Sequence, residues 1–418
     1  MSLTKPGGIK PRIHFMTNDL CFLISPFLDR YKLYYLKAIK YFIWVPILIF
    51  LSACSRKGEE HAISFQPTQD TVTFELPQQA EVNSYSLRYF SPNEQEEYLL
   101  YMSKKRNSIL LYDLNKSSLE KEIVLTTEGP EGIGKISGFD IIDFENIIIS
   151  SASKKSFYRI DSAGNIIQDL SVENLADGYP ASRTHLVSRF SGNSAFQWKQ
   201  FIVLPNTFHL SGRTPTSALA TAHKMFLAFD LSNNEFTSLP LTFPDDYFQQ
   251  GHIYPTGASC AFDGKGVAVS LAADHRVFYS EDFAKFVIKP LPSSAVREFK
   301  PTSAQDDPFA YTVHNGLYQN IYFDPYRKYF LRIALWPYQE NNPELIQQYY
   351  DYPPHFSVVI ADQQLNLISE VNFTEIERWN IHHLFIGRKG IYISNANPLS
   401  EDYREDRLSF VRFEIIEK

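Results

Sequence analysis

One pattern recurs five times and constrains this chain more than any other: an apolar strand stops at an aspartate, a polar turn follows, and a second strand returns. Residues 108–113 turn through Leu-Asn-Lys-Ser-Ser into 119–125, and residues 156–161 turn through Ser-Ala-Gly-Asn into 166–170. Residues 225–230 turn through Leu-Ser-Asn-Asn into 235–239; 276–282 lead into 286–289, and 356–362 into 366–371. Short runs rich in Ile, Val, Phe and Tyr, separated by Asp, Asn, Ser and Gly, are the signature of an all-β fold. Aspartate suits the end of the first strand because its carboxylate accepts backbone N–H groups two residues on. Asp113, Asp161, Asp230, Asp282 and Asp362 are therefore read as turn-makers, not catalytic acids.

The spacing of these aspartates predicts the architecture. Successive steps are 48, 69, 52 and 80 residues. A four-stranded propeller blade occupies ~40–45 residues, so each step fits one blade and a loop. The mean step of about 62 residues predicts a six-bladed β-propeller; seven blades of about 52 residues are the alternative. Strands upstream of each hairpin complete the blades: 98–102; 141–142 with 146–150; 194–204; 266–271; and 320–323 with 329–335. The last set, 384–394 and 408–416, is one strand short, and residues 71–76 are the predicted donor of the missing strand. Such a closure removes the open sheet edge. An aromatic content of 15% suits packing between twisted blades.

The N-terminus reads as an address. Arg30, Lys32, Lys37 and Lys40 precede an apolar run of ten residues, 41–50, and then Leu51-Ser52-Ala53-Cys54. A basic flank, an apolar core of this length and a small-residue cleavage site make a secretory signal. The run is shorter than the ~20 residues of a spanning helix. Leu51, Ser52, Ala53 and Cys54 resemble the bacterial lipobox, in which the cysteine thiol receives diacylglycerol before cleavage. The predicted organisation is a removed signal, 1–53, with an over-long extension, a lipidated tether, 54–62, and a propeller, 63–418. Seven of the 40 basic and two of the 47 acidic residues precede Cys54, so the chain from there on has a formal charge of −12. Two or three acyl chains make a stable anchor, since each buried CH₂ contributes ~0.8 kcal/mol. Ser55-Arg56-Lys57-Gly58-Glu59-Glu60 partly resembles the surface-export signal of Bacteroidota lipoproteins, so the outer membrane, on either its periplasmic or its surface face, is the expected address. Of the three cysteines, Cys21 is removed, Cys54 carries lipid and Cys260 is read as a buried thiol.

Taken together, the lipobox, the Asp-turn hairpins and the Gly-Pro-Glu-Gly loop at 129–132 resemble the TolB-like six-bladed β-propeller lipoproteins of Bacteroidota, several families of which are known only as domains of unknown function. The resemblance spans roughly residues 63–418 and implies a fold, without catalytic residues or cofactor.

Chemical motifs are sparse. The segment Gly129-Pro-Glu-Gly-Ile-Gly134-Lys135-Ile136 approaches a phosphate loop. That motif needs Ser or Thr after its lysine to ligate Mg²⁺, and a helix beyond. Ile136 holds the position and 138–142 reads as strand, so a nucleotide partner is not expected. No Gly-x-Ser-x-Gly elbow, His-Glu-x-x-His or Cys-x-x-Cys occurs. His382 and His383 are adjacent, so a strand sends them to opposite faces and they cannot share a metal. The acidic balance disfavours nucleic acid. Neither cofactor nor metal is expected.

Three long loops remain: 212–224, 338–355 and 397–407. Binding groups concentrate on long loops carried by a rigid scaffold. In the second, Asn342 and Pro343 predict a helix start, and Tyr338, Tyr349, Tyr350 and Tyr352 are the candidate ligand residues, to be weighed against packing of the loop on its own blade. The sequence thus points away from an enzyme and toward a lipid-anchored envelope module that binds a protein or glycan. A glycan hydrolase or lyase with its site at the propeller axis is one alternative. A structural subunit of an envelope complex is another.

Overall fold

A computed structural model of the chain describes residues 63–417, apart from Tyr85, Lys155, 171–174, 178–193, 207–221, 249–256 and 302–305. The described chain begins with β1 (Ile63–Glu75) and then lays down six four-stranded antiparallel sheets. Blade 1 is β2 (Leu87–Phe90), β3 (Tyr98–Ser103), β4 (Ser108–Asp113) and β5 (Ser118–Val124). Blade 2 is β6 (Ile136–Asp143), β7 (Asn146–Ser151), β8 (Phe157–Ile160) and β9 (Ile166–Leu170). Blade 3 is β10 (Phe196–Trp198), β11 (Phe201–Pro205), β12 (Phe226–Asp230) and β13 (Glu235–Ser238). Blade 4 is β14 (Ala258–Phe262), β15 (Val267–Leu271), β16 (Arg276–Ser280) and β17 (Val287–Pro290). Blade 5 is β18 (Leu317–Asp324), β19 (Tyr329–Leu335), β20 (Phe356–Ala361) and β21 (Leu367–Phe373). Blade 6 is β22 (Asn380–Gly387), β23 (Gly390–Ser394), β24 (Arg407–Glu417) and, returning from the other end of the chain, β1.

The protein is therefore a six-bladed β-propeller, as the aspartate spacing predicts, and the seven-bladed alternative falls. β1 pairs antiparallel with β24 from Ile63↔Glu417 to Glu75↔Arg407, with a bulge between Pro67 and Thr71. The predicted closing strand is real and starts eight residues earlier than 71–76 indicated. The polar run Gln66 to Thr71 has no apolar alternation to mark it as strand, and pairing with β24 imposes the conformation instead.

The core lies between blades. Six apolar clusters fill the six interfaces, among them Phe139 with Leu111 between blades 1 and 2, and Phe226 with Phe278 between blades 3 and 4. Phe74 and Tyr101 meet Phe385 and Phe410 where the ring closes. Aromatic rings supply much of this filling: Phe65 stacks on Phe413 at 4.9 Å, and Phe356 on Phe373 at 4.5 Å. First strands are largely buried and fourth strands such as β5 and β17 largely exposed, so the former line the axis and the latter the circumference.

Antiparallel order also sorts the connections onto two rims. First-to-second and third-to-fourth turns share one rim and span two to seven residues. Second-to-third turns and blade-to-blade crossings share the other, and reach 20 residues or more at 206–225, 336–355, 171–195 and 291–316.

The short rim is built on aspartate. The backbone N–H two residues on donates to the carboxylate of Asp113, Asp161, Asp230, Asp282 and Asp362, at 2.8–2.9 Å. Asp143, Asp263 and Asp324 make the same turn in first-to-second connections. Asn165, first through its side-chain amide, holds the Asp161 carboxyl below its ordinary range. The N–H groups of Ala284 and Lys285 do so for Asp282. The turn-maker reading holds for all five aspartates. Three more escaped the sequence reading, although Asp143-Phe-Glu-Asn and Asp263-Gly-Lys-Gly carry the same signal.

Candidate functional site

Both described α-helices stand on the long rim. α1 (Pro308–Asn315) lies in the crossing from blade 4 to blade 5, and α2 (Pro343–Asp351) in the second-to-third connection of blade 5. Each starts on a side-chain cap followed by proline. The Phe309 N–H donates to Asp307 at 2.9 Å and the Glu344 N–H to Asn342 at 3.0 Å, as Asn342 and Pro343 predict. α1 ends at Gly316, whose φ of 68° and distance of 2.6 Å from a would-be Cβ to the Leu335 carbonyl leave room only for glycine.

The helices pack on each other through Val313, Ile346 and Tyr349. Their packing divides the four candidate tyrosines. Tyr338 meets Tyr349 edge-on at 5.1 Å and His355 at 5.6 Å, and Tyr349 is buried. These two rings fasten the loop to its own blade. Tyr352 is half-buried, and burial, then the Tyr403 phenol, push its own phenol up to about 12. Tyr350 alone faces solvent, at 36% exposure, edge-on at 4.8 Å to Phe309 at 38%. The four tyrosines thus form no common surface. The exposed aromatic pair is Tyr350 with Phe309, a residue the sequence reading passed over, although Asp307-Pro308 before it is a helix-start signal.

At the axis, Arg88 on β2 donates through Nε to Asp140 on β6 at 2.5 Å, with both side chains almost fully buried. Burial, then the Asp140 carboxylate, push the Cys260 thiol of β14 above its ordinary value, with Arg88 opposing. A thiol held protonated is a poor nucleophile, so the expectation of a buried, structural Cys260 holds. On β22, His382 Nδ1 lies 3.1 Å from the Gln319 amide nitrogen of blade 5, while His383 turns toward blade 1 and donates through Nε2 to the Ser84 carbonyl at 2.6 Å. The two histidines point apart, as adjacent strand positions require. Among the described residues no group of three or more His, Cys, Asp or Glu is placed to hold a metal.

The buried His383 carries a pH dependence. Burial lowers its pKa to about 4 from an ordinary 6.5, with the Ser84 hydrogen bond partly opposing. Unfolding frees the ring to bind a proton below pH 6.5, so stability is full above that pH and falls as pH drops toward 4. At pH 5 the loss attributable to this group is about 2 kcal/mol. Urea midpoints measured from pH 7 to 5 should show that slope in the native chain and lose it in His383→Gln; an identical slope in both would remove His383 as its source.

Leu51, Ser52, Ala53 and Cys54, the tether 54–62 and most of loop 212–224 lie outside the described residues. Residues 397–407 form a long-rim connection that runs into β24. Its Asn397 donates to the Trp379 carbonyl at 3.1 Å and caps the Leu399 N–H at 2.9 Å.

A family model, DUF4221, described as a domain of unknown function, matches residues 62–372. Among solved structures, the chain is similar to a member of that family from Bacteroides vulgatus, with 21% identity and a TM-score of 0.74 over 86% of this chain and all of that one. Fainter likenesses include the aldose sugar dehydrogenase of Streptomyces coelicolor in its PQQ-bound form (14% identity, TM-score 0.41, 84% of this chain and all of that one). Virginiamycin B lyase from Staphylococcus aureus is another (9%, 0.40, 84% and 99%). No curated protein matches the sequence. At these identities the likeness shows the fold alone.

Proposed function

As the chain belongs to the DUF4221 family of domains of unknown function, we propose that it is a lipid-anchored envelope propeller that binds a protein or glycan ligand with its long rim. The observation carrying this reading is the asymmetry of the two rims. One consists mostly of short aspartate turns. The other carries the long connections, both helices and the exposed Phe309–Tyr350 pair. Binding surfaces gather on long loops over a rigid scaffold, and amphipathic aromatic rings serve both carbohydrate and protein contacts.

The anchor part of the proposal is supported by the basic flank, the apolar run and Leu51-Ser52-Ala53-Cys54. It assigns the protein to the outer membrane, on its periplasmic or its surface face. β1 begins nine residues after Cys54 in sequence, and its first residue stands on the short rim of the propeller.

Two measurements test this reading. Cys54→Ala should move the protein from the membrane to the soluble fraction, and unchanged membrane association overturns the anchor. The full chain in detergent should enrich a ligand from envelope extract or on a glycan array, and Phe309→Asp with Tyr350→Asp should abolish that enrichment. Equal enrichment by the variant, or none by the native chain in either format, overturns the binding face.

A further inference from the structure

The near-phosphate loop at 129–136 has a place in the fold that the turn reading does not use. Its lysine, Lys135, lines a cavity of about 600 Å³ on the long rim where blades 1 and 2 meet, together with Lys104, Lys105, Thr127 and Ser137. Three lysines belong to its lining, in a chain whose formal charge from Cys54 onward is −12. Lys154 binds the same crossing, its ammonium donating to the Gly132 carbonyl.

The floor of the cavity is built. Asn107, buried and at a φ of 50°, donates to the carbonyls of Leu125 at 2.8 Å and Gly134 at 3.1 Å, and accepts from the Ile136 N–H at 3.0 Å. One side chain thus clamps the blade 1 turn bearing Lys104 and Lys105 to the crossing bearing Lys135. The nearby Glu81 carboxylate is already engaged: it accepts from Ser103 Oγ at 2.9 Å and from the Lys104 N–H at 2.5 Å. It fixes the backbone of the lysine turn. Glu128 and Glu131 are exposed on the same crossing.

We propose that this cavity binds the carboxylate or sulfate oxyanions of an acidic saccharide. The volume falls within the ~300–1,000 Å³ of small-molecule sites, and Thr127 and Ser137 add neutral polar lining suited to sugar hydroxyls. The lining has no aromatic ring on which a base could stack, and β6 follows the loop where a nucleotide site needs a helix. The proposal rests on the long rim being the binding face, and places a ligand some blades away from Phe309 and Tyr350.

The test is calorimetric titration of the full chain in detergent with three probes: a heparin-derived disaccharide, digalacturonate and inorganic phosphate. At least one saccharide should bind, more weakly as salt rises from 50 to 300 mM because the charges are exposed and screened. Lys104→Gln with Lys135→Gln should weaken it at least tenfold, and Phe309→Asp with Tyr350→Asp should leave it unchanged. These lysines are exposed, so folding is spared, and the circular dichroism of the variant should match the native chain. Binding by neither saccharide, phosphate as the sole binder, or saccharide affinity indifferent to the lysines would each overturn the assignment. The helix-face variant separates the two proposals: loss of envelope ligand with saccharide binding intact leaves the cavity standing, and the lysine variant does the converse.

Discussion

Arg332→Ala should cost the propeller about 3–5 kcal/mol of stability, the range for uncovering a buried, fully bonded polar network. Arg332 on β19 has no exposed surface and is the largest fully buried side chain described. Its guanidinium reaches from blade 5 into blade 4. Nε donates to Ser270 Oγ at 2.8 Å. The terminal nitrogens donate to the carbonyls of Leu291 at 2.7 Å, Asp274 at 2.5 Å and His275 at 3.1 Å. Its Cζ lies 3.3 Å from the centroid of the Tyr318 ring. Burial draws its pKa down to about 10, opposed first by Tyr318 and then by Asp274, so the group still carries its charge at neutral pH. Alanine would take this donor from the Leu291 and Asp274 carbonyls, while the His275 carbonyl keeps the Leu291 N–H, and would open a void beside Tyr318. Lysine should recover little, because one ammonium cannot reproduce a planar fork aimed at several acceptors. Urea denaturation of native, Arg332→Ala and Arg332→Lys chains measures this. A loss under about 1 kcal/mol with an unchanged m value would show that the network is dispensable.

The axial pair should give the second large effect. Asp140→Ala removes the carboxylate that neutralises Arg88 in a site where its side chain is only 6% exposed, and about 3–5 kcal/mol should be lost. Arg88→Met should cost a similar amount by leaving the Asp140 carboxylate without its counter-charge. The double variant Arg88→Met with Asp140→Leu removes both charges and should be markedly more stable than either single variant. A double variant as unstable as the two losses combined would mean that the pair is not coupled. Arg88 comes from blade 1 and Asp140 from blade 2, so this bond, like the Arg332 network, adds a charged link to blade interfaces whose bulk is apolar packing.

The blade number, the hairpins and the closing strand were legible in the sequence because they rest on local chemistry. An aspartate able to accept its own turn's N–H groups marks a strand end wherever it falls, and Asp113 and Asp362 do so 249 positions apart. Arg332 and the Arg88–Asp140 pair were not legible. Each partner is distant in sequence, and an arginine inside a strand reads as a solvent-facing residue until a neighbouring blade covers it. The candidate site was legible only by its loop. Asn342-Pro343 announced α2, yet nothing in the order of Tyr338, Tyr349, Tyr350 and Tyr352 told which would face inward, since that is decided by α1, some 30 residues earlier. The lysine cavity was missed because Lys104 and Lys135 meet only through the fold of Asn107 between their segments.

The closure of blade 6 also sets how the ring bears load. β1 enters on the short rim and pairs with β24 on both sides of the bulge between Pro67 and Thr71. A force that draws Ile63 away from the ring at the short rim is directed along this strand. The hydrogen bonds from Ile63↔Glu417 to Glu75↔Arg407 then lie across the pull and must be sheared together, where a strand drawn sideways would peel open pair by pair. The seam between the two ends of the described chain, the weakest topological point of a closed ring, therefore resists force along the strand better than force across it.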